Sequence, residues 1–172
     1  MKKNVALVLK WICYSLAILL LYVVQTALPL IRIFDIGPIL IVPAAVVIAM
    51  LENEKAAAFT GIAVGFLWDF SSGKLAGFNA LILMVCCVII ALLTMYLMQN
   101  NLLNAMFFTA VLLLVQGLLD YFFYYLIWSY GSSYLILLRY ILPTILYTVA
   151  VCPLIYLLFS RIYRQFERYI RA

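Results

Sequence analysis

Long apolar runs alternate with short polar breaks along the whole chain, and six of these runs approach or exceed the roughly 20 residues a helix needs to cross a bilayer core. They extend from Trp11 to Ile31, Ile36 to Leu51, Ala56 to Phe70, Leu75 to Met98, Leu102 to Trp128 and Tyr134 to Phe159. The breaks between them are too short for independent structure. The pattern predicts an all-α integral membrane bundle of six transmembrane helices over residues 1–160, followed by a basic amphipathic cytoplasmic tail over residues 161–172.

The breaks carry turn chemistry. Asp35, Gly37 and Pro38 end the first run in a tight turn, and Pro38 opens the second. Glu52-Asn53-Glu54-Lys55 and Gln99-Asn100-Asn101 make short turns on the opposite side. Ser129 to Ser133 joins the last two runs as antiparallel neighbours. Pro43 lies near the start of the second run, where a missing amide is tolerated, whereas Pro143 and Pro153 sit deeper in the sixth and predict kinks.

Charge sets the orientation. With the amino end inside, the cytoplasmic segments hold Lys2, Lys3, Lys10, Lys55, Arg161, Arg164, Arg168 and Arg171, and the outer segments hold Arg32, Lys74 and Arg139. This asymmetry predicts both termini in the cytoplasm. The third run is short, about 15 residues or roughly 22 Å, which raises a re-entrant loop as an alternative. Removing that crossing would place a basic terminus outside, so six crossings are preferred. The basic, apolar start reads as an uncleaved signal anchor, because five further spans follow it.

Composition narrows the function. Hydrophobic residues make up 70% of the chain and charged residues 10%, which leaves no stretch for a soluble catalytic domain. Histidine is absent, and Cys13, Cys86, Cys87 and Cys152 fall inside apolar runs without metal-site spacing. Neither a catalytic residue nor a cofactor is expected; the net charge of +5 says little about nucleic acid and more about orientation, and membrane lipids, not nucleic acid, are the expected contacts.

Four groups of residues stand out. Gly61, Gly65 and Asp69 recur every fourth residue, with Ala58 and Ser72 on the same side, forming a face of small residues. Such a face is a packing seam in lipid, either within the bundle or with a separate transmembrane helix. Asp69 at its end is either partly hydrated or paired with Lys74.

Asp120 lies well inside the fifth run, where an aspartate needs a partner or a proton. Arg139, at a similar depth in the sixth run, is the candidate partner, with Gln116 one turn from Asp120 to complete its hydrogen bonds. The alternative is a polar site for a solute or proton. The inner half of the bundle offers no further ionisable groups, which disfavours a proton-driven transporter.

Aromatic residues from Tyr121 to Tyr134 form either an interfacial belt or a capping surface for a partner or ligand. In the tail, Arg161, Arg164, Arg168 and Arg171 oppose Ile162, Tyr163, Phe166, Tyr169 and Ile170 on a helical wheel. This predicts an amphipathic helix on the anionic cytoplasmic leaflet, or the docking site of a cytoplasmic protein.

The order of these features resembles the bacterial rod shape-determining protein MreD family. The resemblance rests on size, span count, the Pro38 opening and one segment: Gly61, Gly65-Phe66-Leu67-Trp68-Asp69, Ser72-Gly73 and Gly77-Phe78-Asn79-Ala80. It implies a non-enzymatic scaffold of the cell-elongation machinery, or elongasome, in the bacterial cytoplasmic membrane. The implied partners are MreC and, directly or through it, MreB and the SEDS/penicillin-binding protein pair that synthesises peptidoglycan. Gly61, Gly65 and Asp69 would then be packing or partner contacts.

A second resemblance, in size and topology, is to the substrate-binding S component of an energy-coupling-factor vitamin transporter. Its expected Ala-x-x-x-Ala coupling pattern is missing from the first run, where Ala17 is followed by Leu21; Ala45 and Ala49 give it in the second run.

Overall fold

In hydrocarbon every backbone amide must find a partner inside the protein, and helices meet that demand one segment at a time. The computed structural model describes residues 3–27, 37–73, 76–126 and 141–171. These form six α-helices and no strand among the described residues: α1 Lys3–Ala27, α2 Ile41–Leu51, α3 Glu54–Ser72, α4 Phe78–Tyr96, α5 Leu102–Asp120 and α6 Leu142–Arg171. A π-helical segment, Tyr121–Leu126, continues α5.

Among the described residues four helical stretches are long and apolar enough to cross a membrane: Val5–Ala27, Phe78–Tyr96, Leu102–Phe123 and Leu142–Tyr169. Their outer faces are lined with exposed leucine, valine, isoleucine and phenylalanine, the surface expected of a membrane protein.

The second and third runs behave differently from the other four. Residues 37–39 are non-helical, so α2 has only 11 residues, about 16 Å of helix against a core of about 30 Å. It touches all five other helices and is buried from Ile41 through Met50, making it the axis of the bundle. Its small residues Ala44, Ala45 and Ala49 let those neighbours approach closely. In α3 the length is present, but its charged residues, glycines and serines keep it below the hydropathy of the four long apolar stretches.

The beginning of α2 is held from outside. Leu40 supplies no side-chain cap. Instead Ile39 N–H donates to Thr148 Oγ1 on α6 at 3.0 Å, and Ile41 N–H donates to Gln25 Oε1 on α1 at 3.4 Å. One of the donors that a helix start leaves unpaired, and the amide just ahead of its N-cap, are thereby satisfied by neighbouring helices. Pro43 stands in the first turn, where its missing amide removes no hydrogen bond.

The last helix runs without a break from Leu142 to Arg171 with Pro153 inside it. The basic tail expected as a separate element is the continuation of this helix, with no boundary at residue 160. Its Ile162 packs against the core. The residues preceding Ile141, which bear on the kink expected at Pro143, lie outside the described range.

Candidate functional site

The most extensive helix pair is α3 against α4, and glycine makes it possible. A Cβ on Gly61 would meet Leu83 O at 2.8 Å and Met84 Cα at 2.9 Å; one on Gly65 would meet the Ala80 amide nitrogen at 2.6 Å. These are backbone atoms, which cannot rotate aside as side-chain ends do. The small-residue face read from the sequence is therefore filled by α4 of the same chain.

Asp69 completes this hairpin. It is buried, and its carboxylate accepts Gly77 N–H at 2.7 Å and Asn79 N–H at 3.1 Å. Gly77 is the N-cap of α4 in a left-handed conformation and offers no side chain, so α4 starts with orphan donors. A carboxylate on α3 caps α4 across the turn, and its charge sits favourably at the positive end of the helix. On the α3 side, Gly73 ends the helix at φ +61°, where glycine alone avoids a steric penalty. Lys74, the partner considered from sequence, lies outside the described residues.

From Asp69 a line of buried polar groups continues inward. Asn79 Oδ1 accepts a hydrogen bond from Gln116 Nε2 on α5, and both residues are almost fully buried. Asp120, one turn beyond Gln116, lies beside it on the wall of a cavity of about 180 Å³ that Trp68, Leu113 and Thr144 also line. Arg139, expected to pair with Asp120, is outside the described residues. So are most of the aromatic cluster's contacts, although Phe123 stacks edge-on with Phe78 on α4 at 5.6 Å and with Phe122 at 5.5 Å.

A second buried polar cluster lies at the opposite end of the bundle, where the sequence reading had counted charges and found no further ionisable group in the inner half of the bundle. Lys10 on α1 is 5% exposed and its ammonium lies 2.5 Å from Glu52 Oε1 and 4.0 Å from Glu167 Oε2. Tyr14 donates its hydroxyl to the same Glu52 oxygen at 3.1 Å, and the Tyr163 ring lies 4.7 Å from the Lys10 ammonium. The cluster joins α1, the α2–α3 turn and the end of α6. The sequence signal was Lys10 itself, embedded between Leu9 and Trp11 in an apolar run.

On α6, Arg161, Arg164 and Arg168 are exposed, while Tyr163 and Phe166 are partly buried; the Arg171 side chain is outside the described set. Cys87 and Cys152 are buried, and Cys152 Sγ lies 3.6 Å from Thr109 Oγ1. Among the described residues no three His, Cys, Asp or Glu side chains gather in a way that would hold a metal ion.

A scan against protein-family models, a search of curated proteins and a search of solved structures each return no match.

Proposed function

We propose that the protein is a non-enzymatic subunit of the bacterial cell-elongation complex, similar to MreD, that scaffolds peptidoglycan synthesis by binding MreC. One observation carries this reading. The segment on which the resemblance rests, Gly61 to Ala80, acts as a single unit in which two glycines admit α4 and Asp69 caps it. In this reading α2 and α3 complete six crossings, both termini are cytoplasmic, and the exposed arginines of α6 meet anionic headgroups. Because α4 fills the glycine seam, those glycines shape the scaffold, and MreC meets other faces of it.

The alternative is the S component of a vitamin transporter, which the cavity beside Gln116 and Asp120 favours. At about 180 Å³ that cavity falls below the roughly 300–1,000 Å³ typical of small-molecule sites. Ala45 and Ala49, the Ala-x-x-x-Ala pair of the second run, are fully buried in α2 and out of reach of a coupling subunit.

Pull-down of the tagged protein from its native membrane in mild detergent tests the reading. Recovery of a single-span coiled-coil protein with cell-wall synthases is expected. Recovery of paired ATPases with a membrane coupling subunit would overturn it.

A further inference from the structure

The cavity beside Gln116 has a neighbour. On the other side of Ile141 and Ile145 runs a groove of about 190 Å³ between α5 and α6, lined by Leu114, Leu118, Leu142 and Leu146. Ile141 and Ile145 line both spaces. All four leucines are 45% exposed or more, so the groove faces the surroundings of the bundle. Gly117 lies under the dividing wall: Ile141 Cγ2 sits 2.6 Å from where a Cβ on Gly117 would be, so this glycine is what admits the isoleucine.

The inner space contains an unmet polar demand. Gln116 is 1% exposed, its Nε2 is used by Asn79, and its Oε1 has no hydrogen-bond partner among the described residues. A buried amide oxygen left without a donor is costly in an apolar medium and is usually answered by water or a ligand. Gln116 shares the cavity wall with Asp120 and Thr144, so the polar side of the cavity is rich in acceptors, while Ile39, Trp68 and Leu113 make the rest of it apolar.

We infer that the α5–α6 face holds one membrane lipid, its acyl chain along the leucine groove and a hydroxyl or ammonium donor of its head reaching Gln116 Oε1. An apolar channel adjoining a buried acceptor matches an amphiphile with a long chain and a hydrogen-bond donor. A water-soluble ligand would leave the leucine groove unused, and water alone would leave most of the cavity lining without a contact.

Trp68 lines the cavity and reports on its contents. The test uses the full chain carrying Trp11→Phe and Trp128→Phe in nanodiscs, titrated with phosphatidylethanolamine, phosphatidylglycerol or phosphatidylcholine brominated on one acyl chain. Ethanolamine and glycerol heads carry donors; choline has none. Trp68 quenching is expected to saturate at low mole fraction for the two donor heads. Its half-point should lie about fivefold below that for phosphatidylcholine, the factor one net hydrogen bond supplies. Ile145→Phe, which fills the shared wall and leaves the Gln116 amide intact, should abolish the saturable phase. Gln116→Leu should erase the headgroup preference. Quenching that rises in proportion to bromolipid alike for all three heads, or is unchanged in Ile145→Phe, would overturn the proposal and leave water on Gln116.

Discussion

The carboxylate of Asp69, near the end of α3, accepts the backbone N–H of Asn79 in the first turn of α4 at 3.1 Å. The same Asn79 carries the side-chain amide that meets Gln116 on α5, so one residue links the hairpin cap to the third helix of the cluster. Backbone and side chain of Asn79 thus tie together α3, α4 and α5 at one end of the bundle.

Replacing Asp69 by Ala leaves the half-buried Gly77 amide and the buried Asn79 amide without their acceptor. The expected loss is about 2–3 kcal/mol of unfolding free energy in detergent, the range for a charged cap with two donors. Asp69→Asn keeps one acceptor oxygen and should lose roughly half as much. Equal losses in the two variants would show that the cap contributes little.

At the seam, Gly65→Ala should destabilise by about 1–3 kcal/mol, because the added carbon meets backbone that cannot yield. Gly61→Ala should follow with a smaller effect, in keeping with its longer approach distances. A Cβ on Gly73 meets nothing within 4 Å, so Gly73→Ala should lose only the roughly 1 kcal/mol of a left-handed residue. Thermal unfolding of the three variants in one detergent checks this order.

Lys10 and Glu52 form a nearly buried pair. Lys10→Met strands the carboxylate and should lower stability by about 3 kcal/mol. Adding Glu52→Gln should restore part of the loss, since an amide buries more readily than an unpaired charge. A double-mutant cycle with no coupling energy would show that the two side chains act independently.

The Thr148 hydroxyl is the acceptor for Ile39 N–H at the start of α2. Thr148→Val preserves shape and removes that acceptor, so a loss of about 1–3 kcal/mol is expected. Thr148→Ser keeps the oxygen and should remain close to the parent. Hydrogen exchange at Ile39 gives a second readout, faster in the valine variant and unchanged in the serine variant.

The residues that build the hairpin were visible in the sequence, but their partners were not. Gly61 and Gly65 fall on one helical face by spacing alone, and that spacing is the same whether the approaching backbone belongs to this chain or another. Asp69 stood out as a charge in an apolar run. Its role depends on how the turn places the amides of Gly77 and Asn79, and no residue-by-residue property carries that path. Lys10 was legible only as a charge near a membrane boundary; its burial follows from the return of α6, more than 140 residues later, to set Glu167 and Tyr163 beside it.

Hydropathy and helix length are local sums along the chain, so the order of residues alone makes it legible as helical and apolar enough for a membrane. That order also marked the small-residue face, through a period of four. Which apolar helix faces its surroundings and which forms the axis emerges only in the assembled bundle. α1 and α2 are both predominantly apolar, yet α1 exposes much of its length and α2 almost none. In a bilayer, lipid tails and a protein core are equally apolar, so no pattern of hydrophobic residues distinguishes them. What distinguishes them is shape: α2 is short, rich in alanine and capped by side chains from two other helices, and only the assembled bundle brings those caps to its end.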